Sequence, residues 1–358
     1  MAKYQLTIAV WHSDTTSNQN LTSNIRLWKL KEALSDFARA GLAKPKSGIT
    51  ATPGDTPRAI FVAPEYVFAK PTGERWKTGH TYDDQRALEQ ADKEKIVWEL
   101  VAMSKAYPDV LILPGSITWR KPVVRDLGHM KTSELTALKS YRNDQTVGKD
   151  KTSVRVDKAV DALESHGTKL DTIYPLYGGR AIRMNPISGH PSQNVVEKLD
   201  GLSLGQFDYI QQNTLYGFWN GMIVLKYAKE GDFHEVLNGQ RTVSVPGVYK
   251  GPFQIGNISL GCEICLDHAL EMRPKINNPG TKRPLLNVLI SAKVETKVNA
   301  QFDSIRDGGF FVHSSSELAY CKVFQKRKNP NTLTDLNAPR VIMSKGGVGV
   351  WDVEYDVI

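Results

Sequence analysis

The chain has 358 residues, 41% of them apolar, a net charge of +8 and three cysteines. That composition builds a core and excludes a disordered chain, while three cysteines are too few to staple a fold of this size. The positive charges are spread along the chain, and the densest basic run, Lys322 to Lys328, is short. Zinc-finger spacing, an RNA-recognition aromatic signature and a basic zipper are all missing, so no nucleic-acid partner is expected. Met1 to Asp14 carries no long apolar stretch or small-residue cleavage site, and nothing approaches the roughly 20 apolar residues of a membrane helix. The expectation is a cytoplasmic protein with no membrane partner.

Tyr4 to Val10 reads as a buried strand. Ser23 is the expected cap of a helix to about Ala40, with Leu27, Leu30, Leu34 and Phe37 on one face and Gly41 ending it. Arg58 to Val62 reads as a second strand, stopped by Pro64. A long helix capped by Asp83 or Asp84 is expected to reach Tyr107, followed by a third strand at Val110 to Leu113. This alternation is the grammar of an α/β fold. From Trp119 to Gln212 the rhythm breaks, with helical patches and no strong strand. The span 119–212 is therefore expected to be an insertion or lid within a single domain covering 1–358. Strand-like runs return at Gly221 to Leu225, Gly256 to Leu260, Leu285 to Ala292 and Phe310 to Ser314, with a helix at Asn299 to Arg306. Gly349 to Val357 reads as an edge strand.

Several motifs fail. Phosphate-binding glycine loops are absent. His234-Glu235 starts an HExxH, but position 238 is asparagine. Gly201-Leu202-Ser203-Leu204-Gly205 matches GxSxG, yet the residues before it are too charged for the buried strand that a nucleophile elbow follows. Cys262 and Cys265 form a CxxC at the end of an apolar strand, where a redox pair would open a helix; a zinc site would need Cys321 with His268 or His313.

Three pieces carry complementary chemistry. Glu65 follows Phe61-Val62-Ala63-Pro64, Lys229 closes Tyr227-Ala228-Lys229, and Cys265 lies in Gly261-Cys262-Glu263-Ile264-Cys265-Leu266-Asp267. Each stands at the carboxyl end of an apolar strand, where α/β sheets bind ligands. A carboxylate takes the proton of a thiol and passes it to a leaving amine; an ammonium steadies the thiolate and the oxyanion formed at a carbonyl. The backbone N–H of Leu266 is a second oxyanion donor in this reading. Lys226 is the nearest rival of Lys229, and Trp119, Tyr174, Tyr177 and Trp219 are candidate pocket walls or packing residues.

In this order, PE after a strand, YxK and GxxICxD resemble the carbon–nitrogen hydrolase (nitrilase) superfamily. The opening strand and helix, Leu111 to Ser116 with its Gly-Ser, Asn213-Thr214 before Gly221, Leu285 to Ala292 and Arg306 to Ser314 extend the resemblance over most of the chain outside the insertion. It implies a four-layer α-β-β-α sandwich assembled into a homodimer or larger homo-oligomer. By the same match Glu65 is the general base and acid, Lys229 the oxyanion stabiliser and Cys265 the nucleophile. Glu235, or the nearby Glu230, stands where the family has a second glutamate. The resemblance implies a small amide or nitrile substrate and neither a metal nor an organic cofactor. Leu266-Asp267-His268-Ala269 matches neither the nitrilase nor the common amidase pattern, and Asp267 leans towards amides. An acyltransferase and a non-catalytic binding protein are the alternatives.

Overall fold

The computed structural model describes residues 2–15, 17–18, 20–40, 42, 46–71, 87–122, 209–229, 242–244, 251–269, 283–297, 303–327, 332–336, 340–342 and 347–357. Two β-sheets and a small set of helices make up these residues. The first sheet contains β1 (Lys3–Trp11), β2 (Ala59–Val62), β3 (Leu88–Glu89), β4 (Val110–Leu113), β5 (Ser116–Pro122), β6 (Tyr209–Trp219), β7 (Met222–Ala228), β8 (Thr242–Ser244), β15 (Arg340–Ile342) and β16 (Val348–Asp356). The second contains β9 (Phe253–Ile255), β10 (Ile258–Ile264), β11 (Leu286–Ser291), β12 (Phe310–Ser315), β13 (Lys322–Arg327) and β14 (Thr332–Leu336).

Parallel pairing runs through the middle of both sheets: β1 with β2 and β2 with β4 in the first, β10 with β11 and β11 with β12 in the second. These strands are buried on both faces, so they read as continuous apolar runs rather than as alternating ones. One core cluster takes Ile8, Ile60, Leu111 and Leu225 from the first sheet and Leu260, Cys262, Val288 and Val312 from the second. A separate cluster on the first sheet's other face holds Phe61 and Ile112 against the helices α1 (Ser23–Ala40) and α2 (Gln90–Ala106). The expected stripe on α1 is the buried one, with Leu30, Leu34 and Phe37 inaccessible to solvent. Each such side chain contributes roughly 1.5–3 kcal/mol when fully buried. Among the described residues no helix is long and apolar enough to cross a membrane.

Four boundaries differ from the sequence reading. The cap of α1 is Thr22, whose Oγ1 accepts the Ile25 N–H at 3.4 Å, one residue before Ser23. α2 starts at Gln90, because Leu88 and Glu89 pair as a strand with Trp119 and Arg120 and the Glu89 carboxylate binds Arg120 at 2.6 Å. Asp83 and Asp84 lie outside the described residues. β16 is not an edge strand: it lies between β1 and β15. Its alternation is weak because Trp351 and Val353 enter the inter-sheet core while Val348 and Val350 face the other cluster. The ends of the 119–212 span are strands, β5 running to Pro122 and β6 starting at Tyr209. Residues 123–208 lie outside the described residues.

Candidate active site

Three strand ends meet. β4 is antiparallel to β6 and β6 to β7, so β7 runs the same way as β2 and both deliver their carboxyl ends to one edge of the first sheet. Glu65 follows β2 and Lys229 follows β7. Cys265 arrives from the second sheet, immediately after β10. The end of β11 joins the sheets here: Ser291 O accepts the Glu65 N–H at 3.4 Å, and Ile290 O accepts the Cys265 N–H at 2.8 Å.

Lys229 Nζ lies 3.3 Å from Glu65 Oε1. Asn213, on β6, donates its side-chain amide to the same oxygen at 3.0 Å, and its carbonyl accepts the Lys229 N–H at 2.8 Å. Glu65 is fully buried, Lys229 is 4% exposed and Cys265 9%. The Cys265 thiol lies within electrostatic reach of both Glu65 and Lys229. Burial, and then the negative charge of Glu65, push its pKa well above the ordinary thiol value; Lys229 and the Ala292 backbone pull the other way without overcoming them. The Cys265 proton is therefore held more firmly than on a free thiol.

Two residues beside this cluster have left-handed backbone, Cys265 with φ of 50° and Tyr66 with φ of 60°. Each non-glycine residue in that region costs of order 1–3 kcal/mol, so the surroundings must hold it. At Cys265 the turn is held from both sides. Asp267 Oδ2 accepts the Ile264 N–H at 3.3 Å and the Tyr227 O–H at 2.7 Å. His268 Nδ1 lies 2.9 Å from Glu263 Oε2, while its Nε2 accepts the Lys297 N–H at 3.0 Å. Nε2 is thus unprotonated, so the proton sits on Nδ1 and points at Glu263. Asn287 donates to the same Glu263 oxygen at 3.0 Å. At Tyr66, the buried Arg26 of α1 donates to the carbonyls of Tyr66 and Val67 at 3.1 and 3.2 Å. Gly115, with φ of 87°, lets the Pro64 carbonyl approach so closely that a Cβ there would lie 2.1 Å from the oxygen. The Gly-Ser after β4 therefore shapes the turn that presents Glu65.

Lys226, the rival lysine, is exposed. Leu266 opens a short helix, α3 (Leu266–Ala269), straight after Cys265. Cys262 is buried in the inter-sheet core, and Cys321 is bound to the Ser315 backbone with its pKa pushed up by burial to about 11. Trp119 donates to Thr214 at 3.1 Å and Trp219 to the Pro108 carbonyl at 2.6 Å, so both are tied to the first sheet. Glu230, His234, Glu235, Ser203, Tyr174 and Tyr177 lie outside the described residues. Among the described residues no group of three or more His, Cys, Asp or Glu side chains converges as a metal site. The sequence reading names Asn213 only within the resemblance and His268 only beside the cysteine motif; the bond of Asn213 to Glu65 and the pairing of His268 with Glu263 are not among its expectations. The YxK motif held a signal for Tyr227, since residues two apart on a strand share a face.

A cavity of about 390 Å³, lined by Lys3, Arg306, Tyr355 and Asp356 among others, lies at the start of β1, the opposite end of the strands from Glu65.

No family model matches the chain, and no curated protein matches it in sequence. Among solved structures it is similar to a glutamine-dependent NAD(+) synthetase from Cytophaga hutchinsonii, with 10% identity and a TM-score of 0.40. The alignment covers 99% of this chain and 43% of that one, so the chain spans less than half the length of that protein.

Proposed function

We propose that the protein is a thiol-dependent hydrolase of non-peptide carbon–nitrogen bonds, acting on a small amide. The observation that carries this reading is the buried Glu65–Lys229 pair, with Cys265 at the end of β10 within reach of both charges. A carboxylate beside a thiol and an ammonium is the arrangement that general-base attack requires.

Cys265 Sγ attacks the amide carbonyl while its proton passes to Glu65. The carbonyl oxygen becomes an oxyanion next to the Lys229 ammonium, with the Leu266 N–H as the second donor. Glu65 gives its proton to the nitrogen, the C–N bond breaks, and ammonia or an amine leaves. An acyl thioester on Cys265 remains. Water attacks it with its proton going to Glu65, the C–S bond breaks, and the thiolate regains the proton as the acid departs. With a nitrile the corresponding intermediate is a thioimidate. Glu235 is proposed as an accessory glutamate. The four-layer sandwich, the homo-oligomer and a lid role for the 119–212 insertion belong to the same reading.

The test is a screen of small primary amides, N-carbamoyl compounds and nitriles, read as ammonia and free acid. Release by the wild type and its loss in Cys265→Ala supports the hydrolase. Acid joined to an added amine identifies an acyltransferase, and turnover unaffected by Cys265→Ala contradicts the proposal.

A further inference from the structure

A side-chain hydrogen bond links the strand that leads to Lys229 with the turn that carries Cys265, Tyr227 Oη to Asp267 Oδ2 at 2.7 Å. We infer that Tyr227 and Asp267 are positioning residues which set the Lys229 ammonium against the Cys265 thiol. The inference rests on the reading proposed above and deepens it.

Tyr227 is two residues before Lys229, and side chains two apart on a strand leave it on one face. Asp267 is two residues after Cys265, in the turn that holds that cysteine's left-handed backbone. The two donors on Asp267 Oδ2 have different jobs: the Ile264 N–H closes the turn on itself, and the Tyr227 O–H ties it to the other sheet. Both side chains are buried, Tyr227 at 2% exposure and Asp267 at 0%. A carboxylate is rarely taken out of water unless it is partnered, so this one is placed for its hydrogen bonds. The Tyr227 ring packs in the inter-sheet core. Its packing and its hydrogen bond are separable, because Tyr227→Phe keeps the ring and removes only the hydroxyl. Lys229 is already fixed to the first sheet through Asn213. The Tyr227–Asp267 bond adds a direct tie between β7's end and the cysteine turn of the second sheet. Displacements of about 1 Å at such groups cost about 100-fold in rate.

The experiment follows alkylation of Cys265 by iodoacetamide against pH, mapped by peptide mass spectrometry on the full chain, and needs no substrate. Wild type, Lys229→Met, Tyr227→Phe and the double variant are compared. Lys229→Met moves the profile to higher pH, because the ammonium favours the thiolate. Tyr227→Phe is expected to move it the same way by a smaller amount, and the double variant to coincide with Lys229→Met alone. Asp267→Ala, which also leaves the Ile264 N–H without this acceptor, is expected to move the profile the same way as Tyr227→Phe and at least as far, and Asp267→Asn, which keeps an acceptor oxygen, to return towards wild type; this pair decides the matter should Tyr227→Phe not fold. A Tyr227→Phe profile superimposed on wild type, or a shift that adds in full to that of Lys229→Met, overturns the inference and leaves the proposed reaction standing. A Lys229→Met profile identical to wild type removes the proposed site and the inference with it.

Discussion

Lys229 Nζ stands 3.3 Å from Glu65 Oε1, and both side chains are almost wholly removed from water. Charges in that position depend on each other, because taking one away leaves the other buried without compensation. Lys229→Met therefore acts twice on the proposed reaction. It removes the oxyanion's ammonium, and it takes from the buried Glu65 the cation beside it. The expected fall in kcat is about 100- to 1,000-fold. Stability drops by about 3–5 kcal/mol, the usual range for breaking a buried pair, as measured by urea unfolding.

Glu65→Gln separates the base from the charge that raises the thiol. Burial and the Glu65 charge both hold the Cys265 pKa up. With glutamine in place the charge is gone, and Cys265 alkylates at lower pH than in wild type. Turnover nonetheless falls by about 100- to 10,000-fold, because the proton acceptor is lost. A thiol that becomes more reactive towards iodoacetamide while the enzyme becomes slower is the expected signature, read by stopped assays across pH.

Stability declines on the alkaline side. Cys321 is raised from 9.0 to about 11, and Tyr216 and Tyr355 from 10.0 to about 12, in each case first by burial. Above the lower value the unfolded chain has released protons that the folded chain still holds, so the unfolding free energy falls with rising pH. The contribution is whole below pH 9 and is lost as pH climbs through about 11 for Cys321, with the two tyrosines following between 10 and about 12. Urea midpoints should drop from pH 9 upward, and Cys321→Ser should flatten the first part of that decline.

Gly115→Ala is expected to damage both fold and site. A Cβ at that left-handed position would lie 2.1 Å from the Pro64 carbonyl oxygen, and backbone cannot yield as a flexible side chain does. A loss of more than about 2 kcal/mol follows, of the size seen when special backbone positions are forced. Because Pro64 precedes Glu65, activity per folded molecule should fall as well, which activity normalised to native circular dichroism measures.

The strands of the parallel core were legible because two-sided burial writes them as short apolar runs. Val110–Leu113 is at its expected position, and β2, β11 and β12 lie within a residue at each end of theirs. The α1 stripe was legible for the corresponding helical reason. Boundaries set by distant partners were not: Leu88 and Glu89 carry no local strand signal and become a strand by pairing with Trp119 and Arg120. β16 looked like an edge because β15, a three-residue strand, gives no pattern of its own. At the site, Glu65, Lys229 and Cys265 were found through their places after apolar runs. Lys229 pulls the Cys265 pKa down, the direction the sequence reading expects of its ammonium, but burial and the Glu65 charge outweigh it. Burial depth is a tertiary quantity with no trace in a motif. The partners of Asn213 and His268 are hidden for the same reason, since a buried polar residue shows its job only once the group it bonds to is known.

The central claim is that Cys265 forms an acyl-enzyme whose hydrolysis uses Glu65. Incubation with p-nitrophenyl acetate, followed by acid quench and peptide mass spectrometry, tests it without knowledge of the natural substrate. The account predicts one acetyl group per chain, on Cys265, absent from Cys265→Ala and persisting in Glu65→Gln, where no carboxylate activates the water. Acetylation spread over lysines and hydroxyls, and unchanged in Cys265→Ala, would contradict it.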